Sequence, residues 1–118
     1  MPRIMIVDDS AFMRKILTGI LKKAGYKDIV EADDGKIAVE TYAAGKPDLV
    51  LLDIVMQTSG IDALKQIRAS DPGAKVIMVT AVGQESMIDE AMEAGALAYI
   101  VKPFREDKVI EAVKGALS

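Results

Sequence analysis

The stretch Val50-Leu51-Leu52-Asp53 determines the fold class of this chain. Its apolar residues are consecutive and do not alternate with polar ones, which is typical of a strand buried on both faces in a parallel sheet. The run ends in a carboxylate, and open α/β sheets bind their ligands at the carboxyl ends of their strands. Asp53 is therefore a candidate functional residue, although a lone Asp at such a place usually only ends a strand or caps the next helix.

The same pattern recurs along the whole chain. Three apolar runs predict buried strands: Ile4–Val7, Leu49–Leu52 and Val76–Val79. A fourth run, Leu97–Val101, predicts the last strand of the chain. A fifth run, Ile29–Ala32, contains the charged Glu31 and is predicted to be an edge strand. After each run, apolar residues spaced three and four apart predict a helix. Strict alternation of strand and helix predicts an α/β fold, with a parallel five-stranded sheet covered by helices on both faces and joined by right-handed crossovers.

Capping residues mark the ends of the predicted helices. Ser10 is a plausible N-cap of the first helix, and Gly25 follows it where a left-handed residue is favoured. Ser59 and Asp62 resemble a capping box at the start of the third helix. In the fourth helix we expect four residues to face inward: Met87, Ile88, Ala91 and Met92.

Composition limits what the protein can do. With 118 residues, 51% of them hydrophobic, residues 1–118 are expected to form one globular domain without an output domain. The absence of cysteine and histidine excludes disulfides, thiolate metal sites and Ser-His or Cys-His catalysis. No apolar run approaches the about 20 residues of a membrane span. A net charge of −3 argues against nucleic acid as a partner, and we expect a cytoplasmic protein that does not bind membranes.

Polar residues follow four of the predicted strands at the point where each strand ends. Asp8 and Asp9 follow the first strand, and Asp53, Thr80 and Lys102 follow the third, fourth and fifth. Each residue alone has an ordinary explanation as a helix-entry acid, a strand-end residue or a solvated lysine, so the inference rests on the set. Three carboxylates in one crevice repel each other unless a lysine or a divalent cation such as Mg²⁺ compensates. Such a site suits phosphoryl transfer, with one carboxylate as the nucleophile.

These residues give the chain a specific family likeness. It resembles the receiver domains of two-component response regulators over essentially its whole length. The matching stretches are Ile6-Val7-Asp8-Asp9-Ser10, Phe12-Met13-Arg14, Leu52-Asp53-Ile54, Gly60, Thr80-Ala81 and Lys102-Pro103-Phe104. The resemblance, and not the periodicity, implies a flavodoxin-like (βα)5 three-layer sandwich with strand order 2-1-3-4-5. It also implies a protein that catalyses only its own phosphorylation and dephosphorylation.

The resemblance implies a role for each acidic residue. Asp53 is expected to be the phosphoacceptor. Asp9 is expected to hold Mg²⁺ directly, Asp8 mainly through water, and Val55 through its backbone carbonyl.

The resemblance also assigns residues that respond to the phosphoryl group. Thr80 corresponds to the switch hydroxyl, and Lys102 corresponds to the lysine that contacts the phosphoryl group, followed by a cis peptide bond to Pro103. Ala81 keeps the site open, because a larger side chain would crowd it. Tyr99 corresponds to the aromatic switch residue.

The family's partners follow from the same likeness. The expected donor is a histidine kinase of the CheA type, and the expected output is a motor or adaptor protein that binds a monomer through the fourth helix, fifth strand and last helix. The fourth helix carries four acids, Glu85, Asp89, Glu90 and Glu93, and no Lys or Arg. Such acids are usually a solvated face. The alternative is a docking face for a basic partner, which resembles archaeal chemotaxis regulators.

Some features depart from the family or leave alternatives open. Gln57 stands where most receivers have a proline that stiffens the loop. Val55 and Val82 flank the phosphoryl position and are expected to alter the rate of dephosphorylation. Val55 also argues against a phosphatase of the haloacid dehalogenase type, which needs a second Asp there. A phosphorelay intermediate of the sporulation type and a pseudo-receiver that binds partners without phosphorylation remain alternatives to a chemotaxis regulator.

Overall fold

Five parallel strands form a single sheet at the centre of the protein, described here from a computed structural model that covers residues 1–118. The strands are β1 (Arg3–Val7), β2 (Asp28–Ala32), β3 (Leu49–Asp53), β4 (Val76–Ala81) and β5 (Ala98–Lys102). Their order in the sheet is β2-β1-β3-β4-β5, and every pairing is parallel. This is the flavodoxin-like order, and β2 lies at an edge, as its charge predicted.

Five helices cover the two faces of the sheet and complete the predicted three-layer sandwich. They are α1 (Ala11–Lys23), α2 (Gly35–Gly45), α3 (Gly60–Ser70), α4 (Glu85–Glu93) and α5 (Glu106–Leu117). Side chains of β3 alternate between two separate apolar cores: Val50 and Leu52 pack with α2, α3 and α4, whereas Leu49 and Leu51 pack with α1 and α5. Every residue of β3 is buried, which explains why its apolar run is continuous.

The predicted caps are present, with one exception. Ser10 Oγ accepts a hydrogen bond from the N–H of Met13 at 3.2 Å, and Gly25 has a φ of 100°. Ser59 Oγ caps α3 by accepting from the N–H of Ile61 at 3.2 Å. Neither bond between Ser59 and Asp62 is formed, so Ser59 caps the helix as a single residue and the predicted capping box is absent.

The prediction for the inward face of α4 is partly wrong. Ala91 is buried and Ile88 is half-buried against the same core, but Met87 and Met92 are 41% and 40% exposed. This helix has only nine residues and lies over the β4 side of the sheet. The helix packs against β4 and α3 along a narrow stripe, so the two methionines flank the contact and do not lie inside it.

The loop between β3 and α3 is fastened at both ends although it lacks the proline. The N–H of Thr58 donates to Asp34 Oδ1 at 2.9 Å, and the N–H of Gly60 donates to the carbonyl of Ile54 at 2.8 Å. The bond from Thr58 is the main cause that lowers the pKa of Asp34. Asp34 also caps α2 through the N–H of Lys36. A side chain from another part of the chain therefore supplies the restraint that proline gives elsewhere.

Candidate functional site

Three carboxylates converge at the carboxyl edge of the sheet, as the sequence predicted. Oxygen atoms of Asp8, Asp9 and Asp53 lie within 4.8 Å of one another. The register of the neighbouring strands brings them together, because Val7 of β1 pairs with Leu52 of β3. Asp8 and Asp53 are buried, whereas Asp9 is exposed.

Lys102 extends from the end of β5 into this acidic cluster. Its Nζ lies 3.1 Å from Asp8 Oδ2 and 3.3 Å from Asp53 Oδ2. One cation therefore bridges the two buried carboxylates from the far side of β4. The peptide bond from Lys102 to Pro103 is cis, as the resemblance implied.

The electrostatics of the cluster favour protonation of its central acid. Burial, followed by the charge of Asp8, raises the pKa of Asp53, while Lys102 acts in the opposite direction. Burial alone would lower the pKa of Lys102, but its contacts with Asp8 and Asp53 raise it overall. The lysine is thus charged, yet it offsets only part of the repulsion among three acids.

The donor set fits a hard divalent cation. Asp8 Oδ1 accepts a hydrogen bond from the N–H of Ser10 at 2.9 Å, but the buried Oδ2 accepts no hydrogen bond of good geometry despite its ion pair with Lys102. No backbone N–H donates to the carbonyl of Val55. Carboxylate and carbonyl oxygens are the ligands that Mg²⁺ prefers. The acidic pocket of this structure is therefore chemically suited to the metal that the resemblance implies.

Sequence reasoning missed a guanidinium that supports the acidic loop. Arg14 Nη1 donates to the backbone carbonyl of Asp8 at 2.6 Å, and its Nε donates to Glu31 at 2.9 Å. The link joins α1, the acidic loop and β2. In the sequence, Arg14 belongs to a stretch that matches the receiver family and Glu31 marks an edge strand, but neither signal indicates that the two residues meet.

The end of β4 contains a second feature that the sequence did not reveal. Thr80 is fully buried, and its hydroxyl donates to Gln84 Oε1 at 2.7 Å. The N–H of Ala81 donates to the same oxygen, also at 2.7 Å. The side chain of Gln84 thus holds the last two residues of β4, Thr80 and Ala81.

Other predicted residues lie outside the acidic cluster. Tyr99 of β5 is 49% exposed and borders a groove of about 590 Å³ that also includes Val82, Arg105 and Lys108. The four acids of α4 are all exposed: Glu85, Asp89, Glu90 and Glu93. Glu90 forms an exposed ion pair with Lys65 at 3.2 Å. None of the helices combines the length and apolarity needed to cross a bilayer.

Comparisons with known proteins agree with this geometry. Residues 4–114 match the response regulator receiver domain family. The chain is 51% identical over 112 residues to the chemotaxis protein CheY of Thermotoga maritima, covering 94% of this chain and 93% of that protein. It is 49% identical over 117 residues to CheY of Bacillus subtilis, covering 98% of each. CheY of Halobacterium salinarum is also similar, at 43% identity over 117 residues, so the relatives do not support the archaeal kind of regulator over the bacterial kind.

A solved structure gives the same result for the fold. The receiver domain of NtrX from Brucella abortus superposes with a TM-score of 0.91 at 32% identity, covering 97% of both chains. Similarity therefore extends over nearly the full length in sequence and in structure. The chain belongs to the family of response regulator receiver domains.

Proposed function

We propose that this receiver domain accepts a phosphoryl group on Asp53 from a histidine kinase and then controls chemotaxis or motility by binding a partner protein. The observation that carries the proposal is the buried Asp53 carboxylate, which lies among two further acids and 3.3 Å from the Lys102 ammonium group. Such an arrangement makes a carboxylate available as a nucleophile and supplies charge that a phosphoryl group requires.

The chemistry is a direct transfer between two side chains. An Asp53 oxygen attacks phosphorus, the bond from phosphorus to the donor's histidine nitrogen breaks, and that nitrogen keeps the electron pair. Asp8, Asp9, Asp53 and the Val55 carbonyl would hold Mg²⁺, which when bound neutralises carboxylate and phosphoryl oxygens. Lys102 keeps Asp53 ionised before the reaction and contacts the phosphoryl group after it.

Phosphorylation then shifts a conformational equilibrium. The group adds about one negative charge and new acceptor oxygens beside the end of β4. Thr80 is drawn towards these oxygens, and Tyr99 leaves its half-exposed position to turn inward. The phosphoryl group favours this arrangement because it interacts more strongly with it than with the resting one.

The output surface is the face formed by α4, β5 and α5. It combines an acidic helix with a groove whose rim includes the cations Arg105 and Lys108. This pattern suits a motor or adaptor protein with a basic segment opposite α4. We propose that the domain acts as a cytoplasmic monomer, with a CheA-like kinase as its donor, because the relatives of similar length are chemotaxis proteins.

Intact-mass measurement after addition of acetyl phosphate tests the proposal. We expect a phosphate adduct in the presence of Mg²⁺, loss of the adduct in Asp53→Ala, and little adduct without the metal. If the wild-type protein forms no adduct, the chain is a pseudo-receiver and the proposal is wrong. Rapid transfer of the phosphoryl group onward to a histidine phosphotransfer protein would instead identify a phosphorelay intermediate.

Two exposed valines provide a test of signal lifetime. Val55 and Val82 are 52% and 80% exposed, so polar substitution there costs little stability. We expect Val55→Asn and Val82→Glu to change the half-life of the adduct, measured by mass after removal of acetyl phosphate. An unchanged half-life in both variants would contradict a role for these positions.

Charge reversal tests the partner face. We expect Asp89→Lys with Glu90→Lys to weaken binding to a purified motor or adaptor protein about tenfold or more, because like charges would then face each other. Glu40→Lys on α2 is the matched control, since it changes an exposed helical acid on a different face. Equal binding by the two variants would leave the α4 acids as a solvated surface.

A further inference from the structure

One side chain accepts hydrogen bonds from two donors at the end of β4. Thr80 Oγ1 and the backbone nitrogen of Ala81 each lie 2.7 Å from Gln84 Oε1. A backbone N–H can only donate, so the atom that faces Ala81 must be the amide oxygen and not the amide nitrogen. The same oxygen can only accept, so the hydroxyl proton of Thr80 points to it at 2.7 Å, and the contact of this hydroxyl with the carbonyl of Ala81 is longer, at 3.3 Å. Both donors are therefore engaged by Gln84.

The local chain is arranged to make this contact. Gln84 occupies the N-cap position of α4, but its side chain forms no bond to the helix N–H groups. Gln is not among the residues that cap helices well. Gly83 has a φ of 96°, a left-handed conformation that favours glycine and turns the chain back towards β4. The first turn of α4 therefore has no side-chain cap, and the side chain of Gln84 instead holds Thr80 and Ala81.

We propose that Gln84 is a positioning residue that holds Thr80 and Ala81 in the resting arrangement and competes for their donors with the phosphoryl group on Asp53. The inference rests on the proposed phosphorylation of Asp53. A neutral amide oxygen is a weaker acceptor than a charged phosphoryl oxygen, because charge-assisted hydrogen bonds are roughly twice as strong. Gln84 therefore retains the donors before phosphorylation and loses them afterwards.

The size of the effect follows from the number of bonds. Two neutral hydrogen bonds of ordinary net strength bias an equilibrium by about tenfold or more. Removing them should make the active arrangement easier to reach by the same factor. Because damage to the fold would instead reduce activation, a gain of function separates a positioning role from a structural one.

Hydrogen exchange of the unphosphorylated protein tests the contact itself. Ala81 is exposed, so the protection of its amide depends on the bond to Gln84. We expect this amide to be protected in the wild type, to exchange about tenfold or more faster in Gln84→Ala, and to remain protected in Gln84→Glu, which keeps an acceptor oxygen. Ser86→Ala, at an exposed position two residues further along α4, is the control. Equal exchange in wild type and Gln84→Ala would overturn the proposal.

Titration with fluoroberyllate and Mg²⁺, an analogue of the phosphoryl group, tests the competition. The methyl NMR signal of Thr80 reports binding and rearrangement. We expect an apparent affinity about tenfold higher in Gln84→Ala, and no higher than wild type in Gln84→Glu and Ser86→Ala. Unchanged or weaker affinity in Gln84→Ala would overturn the competition. If the wild type neither binds the analogue nor forms an adduct, the proposed function fails instead, and the exchange experiment still decides whether Gln84 holds Ala81.

Discussion

The Nζ of Lys102 lies 3.3 Å from Oδ2 of Asp53, although 49 positions separate the two residues in the sequence. The contact crosses β4, because β3 and β5 are not neighbours in the sheet. Burial and Asp8 both raise the pKa of Asp53, and Lys102 is the main group that lowers it. The lysine is therefore the principal side chain that keeps the acid ionised.

Lys102→Met should slow phosphorylation of Asp53 by about tenfold to a hundredfold, the effect of losing one hydrogen bond between charged groups. It should also move the pH dependence of the reaction upward, because the pKa of Asp53 is no longer held down. The rate of adduct formation from acetyl phosphate, recorded by mass across a pH series, checks both effects. Lys108→Met, which removes an exposed cation on α5, should react like the wild type. A profile identical to the wild type in Lys102→Met would exclude this role.

Asp53→Asn should stabilise the protein near neutral pH by about 1 kcal/mol, a typical single-site effect. The pKa of Asp53 is raised on folding, so the folded state binds this proton more tightly than the unfolded chain. Ionisation therefore costs stability above the folded pKa, and the cost disappears below the unfolded value of about 4. Urea unfolding of both proteins in metal-free buffer at pH 7 and near pH 3 checks the sign. A variant that is less stable than the wild type at pH 7 would refute it.

Gly60→Ala should destabilise the protein by about 3 kcal/mol or more and reduce adduct formation. A Cβ at Gly60 would collide with the backbone carbonyl oxygen of Asp53, so the backbone that follows Asp53 would have to move. Gly19→Ala is a matched control, because a Cβ there meets nothing within 4 Å on an exposed part of α1. It should stabilise the helix by about 0.5–1 kcal/mol. Chemical unfolding should therefore show a lower free energy of unfolding for Gly60→Ala and a higher one for Gly19→Ala. A small decrease for Gly60→Ala would show that the loop can move to accommodate the Cβ.

Tyr42→Phe should lower the free energy of unfolding by about 1 kcal/mol at neutral pH. The buried Tyr42 hydroxyl donates to Asp71 Oδ2 at 2.6 Å, and this bond is the main cause that lowers the pKa of Asp71. A carboxyl whose pKa is lowered on folding contributes stability above its unfolded value of about 4, and this is lost as the pH falls through the lower folded value. The difference between Tyr42→Phe and wild type should therefore shrink in acid. A pH-independent difference would point to packing alone.

The sequence predicted the fold because its signals are local. Consecutive apolar residues such as Val50-Leu51-Leu52 indicate a strand that is buried on both faces. This pattern can be recognised without knowing which residues pack against the strand. The acids of the site were recognisable for a similar reason, since parallel strands bring their carboxyl ends to one edge. The relation of Asp8 to Asp53 follows from that topology.

The missed features depend on contacts between distant or neutral side chains. Gln84 and Arg14 are common surface residue types, and their roles arise only where each meets the end of a strand or a backbone carbonyl. The error at Met87 and Met92 has another cause. Helical spacing gives the direction of a face but not its width, which depends on the surface that the helix covers.

The bond from Thr58 to Asp34 has a consequence for how signalling times can diverge among related proteins. The β3–α3 loop is fixed by Asp34 at one point and by the backbone of Ile54 and Gly60 at another. Between these attachments Met56 packs against the core, whereas the side chains of Val55 and Gln57 are exposed. On the proposed function, selection can therefore vary the exposed side chains beside Asp53 without disturbing the loop, so the duration of the response and the architecture of the site can evolve separately.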